Sequence, residues 1–160
     1  MNNQPSIEHI INSIMGGASI NQLEIECQEL DLNEIGREGR TPLMMAVVEG
    51  LLPIIETLVR NGASVHFPGH YQMTALHEAA ASGKAAVAKY LLSLGAKVDA
   101  ETIQGVTPLM CAAAWGNTEV VKLLLENGAD RTKTDRRGAT ATDIALEKGE
   151  RNTADLIASY

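Results

Sequence analysis

The chain contains few aromatic residues, only two cysteines and no long apolar run. Aromatics make up 3% of its 160 residues, which is little for a core built around large rings but suits short helices packed through alanine and leucine. No stretch approaches the roughly 18 apolar residues that a membrane-spanning helix needs. No basic leader precedes an apolar segment at the N-terminus. We therefore expect a cytoplasmic protein with no membrane association, in which Cys27 and Cys111 are both reduced.

Positive charge is also scarce. The formal net charge of −7 disfavours non-specific binding of nucleic acid, and no glycine-rich phosphate loop follows a strand, so DNA and RNA are not expected partners. The charge is uneven, however. Residues 1–36 contain six acids and no Lys or Arg, whereas residues 131–137 contain four bases and one acid. The two ends of the molecule should differ in charge, and they are either simply solvated or orient a partner.

Glycine and threonine recur with a fixed period through almost the whole chain. Three series share a step of 33 residues, and the longest runs from residue 17 to residue 149. Three markers in phase indicate a repeat protein. The series are Gly17, Gly50, Gly83, Gly116 and Gly149; Thr41, Thr74, Thr107 and Thr140; and Gly62, Gly95 and Gly128.

Each repeat is predicted to contain two short helices. The Thr hydroxyl can accept a hydrogen bond from a free N–H at a helix start, and Pro42 or Pro108 suits the first helical position. About nine residues later the Gly can adopt the left-handed conformation that ends a helix. A second helix should then end before the next Gly by the same logic. The predicted second helices are Pro53–Arg60, Ala85–Leu94 and Thr118–Asn127.

The phased Thr-Pro-Leu and Gly positions resemble the ankyrin repeat, whose signature is this 33-residue period. The resemblance implies an all-α solenoid, in which helix-turn-helix pairs stack and are joined by β-hairpin-like loops. We expect one domain over residues 1–160. It divides into an N-terminal capping unit at 1–35, full repeats at 36–68, 69–101 and 102–134, and a polar C-terminal capping unit at 135–160. In the first unit the apolar stripe is Ile7, Ile10, Ile11, Ile14 and Met15.

The second repeat departs from the pattern in its loop. Residue 72 is Gln, where the other repeats have Gly39, Gly105 and Gly138, so the hairpin around residues 66–71 is expected to be reshaped. Such a change is either drift or a source of specificity, because loops vary freely and also carry function. The histidine that usually follows Thr-Pro-Leu is present here as His77, whereas residues 44 and 110 are Met.

By position, the resemblance places partner-binding residues at the hairpin tips and along the first helices, which line a concave groove. An exposed apolar patch in the middle of this groove would mark an interface. We define the apolar patch as Tyr71, Met73, Ile103, Val106 and Trp115, with Trp115 as its main contact; alternatively, Trp115 only packs on a neighbouring hairpin. The other predicted binding residues are Arg37, Arg40, Glu49, His70, Gln104, Arg136 and Arg137.

These features predict a non-catalytic module that binds a folded protein and acts as an inhibitor, adaptor or chaperone-like binder. An alternative is a bacterial effector or immunity protein that binds one specific protein. A second alternative is a metal- or ligand-binding protein that uses His66, His70, His77 and Glu78, although no Cys lies beside them. Catalysis by Cys111 is not expected, because a Cys in an Ala-rich helix usually behaves as a small apolar residue. We expect a monomer without cofactors.

Overall fold

The computed structural model describes residues 6–17, 19–28, 30–36 and 38–160, and these residues form an all-α structure. Within the described ranges no β-strand is present, which confirms the predicted class. The described residues contain ten α-helices: α1 Ile7–Met15, α2 Ile20–Cys27, α3 Pro42–Glu49, α4 Leu52–Arg60, α5 Ala75–Ala81, α6 Ala85–Ser93, α7 Pro108–Ala114, α8 Thr118–Glu126, α9 Ala141–Lys148 and α10 Arg151–Ser159.

The helix boundaries follow the predicted capping chemistry. In α3, α5, α7 and α9 the Thr side chain accepts from the backbone N–H three residues later, at 3.2–3.5 Å. The glycines that follow these helices have φ between 64° and 83°, as a left-handed stop requires. The predicted Thr caps and the predicted Gly stops are both confirmed. The glycines are Gly50, Gly83, Gly116 and Gly149.

The helices are short, so packing between neighbours has to stabilise them. A helix of seven to nine residues is marginal alone, because nucleation costs more than so few hydrogen bonds return. Consecutive first helices α3, α5, α7 and α9 contact one another through fully buried alanines, and the second helices contribute larger aliphatic side chains. Among the described residues, no helix is long and apolar enough to cross a membrane. The buried alanines are Ala46, Ala79, Ala80, Ala112 and Ala113.

The loops between repeats form tight hairpins, each closed by one backbone hydrogen bond between residues four apart. The N–H groups of residues 36, 69, 102 and 135 donate to the carbonyls of residues 40, 73, 106 and 139 at 2.8–3.0 Å. Neighbouring hairpins are also joined at their tips. The N–H of His70 donates to the Gly39 carbonyl, that of Ile103 to Tyr71 and that of Arg136 to Gln104, at 2.8–2.9 Å. A row of backbone hydrogen bonds therefore connects the four tips.

His77 forms the hydrogen bonds expected of the motif histidine, including one to the next repeat. Its Nδ1 accepts from the Thr74 N–H at 3.1 Å, which leaves the Nε2 proton for the Val106 carbonyl at 3.0 Å. Met44 and Met110 occupy the same position in the neighbouring repeats and are almost completely buried. Apolar packing replaces the inter-repeat hydrogen bond there.

The first unit contains a helix that the sequence analysis did not predict. Helix α2 begins after Ser19, whose hydroxyl accepts from the Gln22 N–H, so the unit is a helix pair like the others. The predicted stripe on α1 is buried except for Met15, which is exposed. Met15 lies at the edge of the stripe and is the last residue of α1. Ile20 and Ile25 of α2 are exposed as well.

Candidate functional site

The apolar patch contains the most exposed aromatic side chains of the described chain. Tyr71 and Trp115 are each 70% exposed and Ile103 is 41% exposed, whereas Met73 and Val106 are half-buried. The hydrogen bond from the Ile103 N–H to the Tyr71 carbonyl holds two of these residues together. Trp115 follows directly after α7, at the end of the first helix of the third repeat. Three large apolar side chains from two repeats are thus presented to solvent.

The hairpin that carries Tyr71 has an unusual backbone. Tyr71 and Gln72 have φ values of 58° and 62°, both in the left-handed region that side chains with a Cβ rarely adopt. Gly39, Gly105 and Gly138 have the same conformation in the other hairpins. Gln72 therefore retains the conformation of the replaced Gly, and the predicted reshaping occurs mainly at Tyr71. Such strain persists only where the surrounding structure enforces it, and it is frequent at binding sites.

His70 fixes this hairpin against its neighbour. Its imidazole packs so closely on Gly39 that a Cβ there would overlap the ring. The imidazole also meets the Tyr71 ring edge to face, with centroids 6.3 Å apart and an angle of 83° between the planes. The exposed Tyr71 side chain therefore contacts His70, and His70 in turn packs on the preceding hairpin.

Two of the predicted arginines are already engaged within the protein. The guanidinium of Arg40 donates to both carboxylate oxygens of Glu78 in α5, at 2.7 and 3.3 Å, and lies 3.6 Å from Glu38. Arg137 contacts Asp135 in its own hairpin at 3.1 Å and Glu147 in α9 at 3.4 Å. In both cases an arginine of a hairpin reaches a first helix. The hairpin row and the first helices therefore face each other.

The remaining predicted binding residues differ in their position along the stack. Glu49, Gln104 and Arg136 are exposed, and the last two are linked through their backbones. Arg37 lies outside the described residues. His70 and Gln104 lie beside Tyr71 and Ile103 in two adjacent hairpins, whereas Trp115 follows α7, and Glu49 and Arg136 lie in the repeats on either side.

The contacts of two structurally important polar residues were not predicted from the sequence. Glu78 is buried under Arg40, 38 residues away, and only the stacking of repeats reveals that pair. Asn117 precedes α8, but its amide donates to the carbonyls of Ala80 and Ala81 at 2.8 and 3.0 Å and so caps the end of α5 in the preceding repeat. A sequence reading would place Asn117 at the start of its own helix, since Asn is common there.

The three histidines considered for a metal site are not arranged as ligands. His77 is fully buried with both ring nitrogens hydrogen-bonded, whereas His66 and His70 are exposed on the loop. Within the described ranges, no group of three His, Cys, Asp or Glu side chains is placed to hold a metal ion. The geometry gives the metal-binding alternative no support.

Both cysteines carry free thiols. Burial, together with the charge of Glu78, raises the pKa of Cys111 to about 12. Burial and the nearby Glu26 and Glu24 also raise the pKa of Cys27. A thiol becomes a nucleophile only as its thiolate, so Cys111 is poorly suited to nucleophilic chemistry at neutral pH.

Comparison with known proteins identifies the repeat. A family model described as ankyrin repeats, in three copies, matches residues 6–102 and 94–160. Notch-regulated ankyrin repeat-containing protein A of Danio rerio is 36% identical over 52 residues, and the proteins of that name from Xenopus tropicalis and Homo sapiens match to the same extent. The matched segment is 32% of this chain and 46% of each relative, so the chain spans about half the length of these relatives. Since the family model covers nearly all of the sequence, the chain belongs to the ankyrin-repeat family.

Proposed function

We propose that this protein is a non-catalytic module that binds one folded protein partner through the groove between its hairpin tips and first helices. Proteins of this family are typically non-catalytic and bind other proteins. The observation that carries the proposal is the apolar patch, in which Tyr71 and Trp115 are 70% exposed. Aromatic residues at the centre of a contact surface, with charged residues around them, are typical of protein interfaces.

The rigidity of the groove supports this role. The tips are joined by backbone hydrogen bonds, and the first helices pack through buried alanines. A surface that is already ordered loses little conformational entropy on binding, which favours tight and specific complexes. A module of this kind acts by occupying, blocking or bridging its target. Inhibitor, adaptor and chaperone-like roles all use the same groove.

Photo-crosslinking at the patch tests the proposal. Benzoylphenylalanine replaces Trp115 in one variant and Leu94, an exposed residue outside the patch, in a matched control. Both proteins are incubated with lysate from the source organism and irradiated. We expect one discrete adduct from position 115, lost when unlabelled wild-type protein competes, and no such adduct from position 94.

The strength of the contact is then measured with the identified partner. Removing the Trp115 side chain should weaken binding by about 30-fold or more, the effect of losing a central aromatic worth about 2 kcal/mol. The matched control is Ile25→Ala, which shortens an equally accessible apolar side chain in α2. Equal binding by the Trp115→Ala variant, with its helical signal unchanged, would contradict a role for the groove.

A further inference from the structure

Polar side chains join successive units on the outer side of the stack, which is formed by the second helices and the loops that follow them. Between the first unit and the first full repeat, the Asn33 side chain accepts from the Ser64 N–H at 2.8 Å. The same side chain donates to the Gly62 carbonyl at 3.3 Å. One amide thus connects the loops that end two successive units.

The same connection recurs further along the chain. Asp99 occupies the position of Asn33 in its own repeat, and its carboxylate accepts from the Asp130 N–H at 3.0 Å. That bond joins the second full repeat to the third. The third repeat is joined to the C-terminal unit by Arg131, whose guanidinium donates to two carbonyls at the end of α10 at 3.3 Å. Three of the four junctions therefore have a polar contact on the outer side.

The junction between the first and second full repeats differs. The equivalent position is His66, which is exposed and forms no side-chain hydrogen bond within the described chain. The Lys97 N–H, which corresponds to those of Ser64 and Asp130, has no acceptor among the described residues. A cavity of about 210 Å³ lies there instead, lined in part by His66, Pro68 and Lys97. The outer loops of these two repeats are therefore not connected.

The second helices of these two repeats are also poorly connected. Helix α2 packs against α4, and α8 packs against both α6 and α10, whereas α4 and α6 are hardly in contact. Packing between neighbouring units is what stabilises such an array. The outer side of this junction thus lacks both the loop contact and most of the helix packing.

On the groove side, which is formed by the hairpins and the first helices, the same two repeats are firmly connected. The His70 N–H donates to the Gly39 carbonyl at 2.8 Å. Arg40 holds Glu78 through two hydrogen bonds, and α3 packs against α5. Contacts that are present on one side only leave two packed units free to rotate about that side.

From this asymmetry we infer that the stack has a hinge between the first and second full repeats. The described residues up to 68 form one body and residues 69–160 form the other. The axis runs along the groove side, and rotation changes the distance between α4 and α6 and the width of the cavity. Tyr71, Ile103 and Trp115 all belong to the second body, so the apolar patch moves as one piece. The hinge is independent of the protein-binding role proposed above.

Spin-label distances between equivalent positions test the hinge. Residues 56, 89 and 122 occupy the same place in α4, α6 and α8, and all three are exposed. A Glu56→Cys/Lys89→Cys protein spans the hinge, and a Lys89→Cys/Lys122→Cys protein spans the next junction. Both carry Cys27→Ala and Cys111→Ala so that only the introduced thiols are labelled. Double electron–electron resonance should show a broader distance distribution for the first pair than for the second.

Exchanging the loop contact between junctions gives the matched variants. His66→Asn offers the Lys97 N–H an amide oxygen, as Asn33 does for Ser64, and should narrow the distribution between positions 56 and 89. Asp99→His removes the contact from the next junction and should broaden the distribution between positions 89 and 122. Circular dichroism checks that each labelled variant keeps its helical signal.

The unmodified junctions decide the main point. Equal widths for the two label pairs would show that the first and second repeats are no more mobile than the others, and the hinge would be refuted. If His66→Asn folds normally but leaves the first distribution broad, the missing loop contact is not what frees the junction, and the inference is wrong in its cause.

Discussion

The imidazole of His77 is fully buried and joins two repeats. Burial lowers its pKa, and the hydrogen bond to the Val106 carbonyl and the charge of Glu78 oppose this effect without cancelling it. The folded protein therefore favours neutral His77. The unfolded chain, in which the pKa is near 6.5, binds a proton more readily, and this difference makes stability depend on pH.

We predict that His77 contributes to loss of stability in mild acid. As pH falls below about 6.5, the unfolded state takes up a proton that folded His77 resists, so the free energy of unfolding decreases until pH reaches the lower, folded pKa. Urea unfolding of wild type and His77→Met between pH 7.5 and 5 measures the effect. Methionine is the matched choice because Met44 and Met110 occupy the same position.

The His77→Met variant should be less stable at pH 7.5 by about 1–3 kcal/mol, because the Val106 carbonyl loses its donor. Its stability should fall less steeply with acid than that of wild type. The difference between the two curves isolates His77 from the exposed histidines, which both proteins share. Parallel curves would show that His77 does not titrate differently on folding.

At the scale of single elements, the second hairpin is strained relative to the others. Replacing Gln72 with Gly should raise the free energy of unfolding by about 1 kcal/mol, because Gly adopts a positive φ without the Cβ penalty. Gly105→Gln is the matched reverse change, because the third hairpin has room for a Cβ, with the nearest atoms 3.4 Å away. This variant should have a free energy of unfolding that is lower by a similar amount. Chemical unfolding of both variants measures the two changes in the free energy of unfolding. Changes of the same sign would show that the second hairpin is not strained.

Asn117 gives a second prediction at this scale. Asn117→Ala should destabilise the protein by about 1–3 kcal/mol, because two carbonyls at the end of α5 lose their donor. Asn127→Ala is the control: its amide bonds only within its own helix, to the Leu123 carbonyl, and it is exposed. Thermal unfolding should therefore show a much larger decrease in Tm for Asn117→Ala than for Asn127→Ala. Similar decreases would mean that the contact between repeats adds nothing beyond an ordinary helix cap.

The helices were predictable from sequence where their signals are local. A capping Thr and a stopping Gly predicted α3, α5, α7 and α9. Helix α2 was missed because its apolar residues do not form one stripe, Ile20 and Ile25 being exposed, and no Gly-Ala pair follows it. Contacts between repeats were not predictable in this way. The Arg40–Glu78 pair joins segments that are distant in sequence, and no local signal marks Tyr71 as left-handed. The exposed patch was anticipated by position, but the internal pairing of its flanking arginines was not.

At the scale of the whole molecule, the main contacts of each helix pair are with its neighbours in the chain, as far as the described residues show. Stability in such an array is the sum of the units and the interfaces between them. The first unit has a neighbour on one side, whereas the pair α5–α6 has one on each side. Damage at an end should therefore remain local, and damage in the middle should spread.

Two leucines with no exposed surface test this difference: Leu23 in α2 and Leu91 in α6. Each Leu→Ala change should cost about 2–5 kcal/mol of local packing. Hydrogen exchange followed by mass spectrometry should show faster exchange confined to α1 and α2 for Leu23→Ala, with α5–α10 still protected. For Leu91→Ala, exchange should rise in the neighbouring repeats as well. Uniform exchange in both variants would show that the stack unfolds as one unit.

The row of hydrogen bonds between the hairpin tips gives the molecule one edge of nearly constant length. On the opposite edge, α6 and α8 leave a cleft of about 390 Å³, lined in part by Ala85, Lys89 and Leu123. Side-chain packing yields more easily than a backbone hydrogen bond of 2.8–2.9 Å. Neighbouring repeats should therefore tilt about the hairpin tips and move apart or together at the second helices. Such motion changes the angle between the second helices, whereas the spacing between the hairpin tips that border the groove stays fixed.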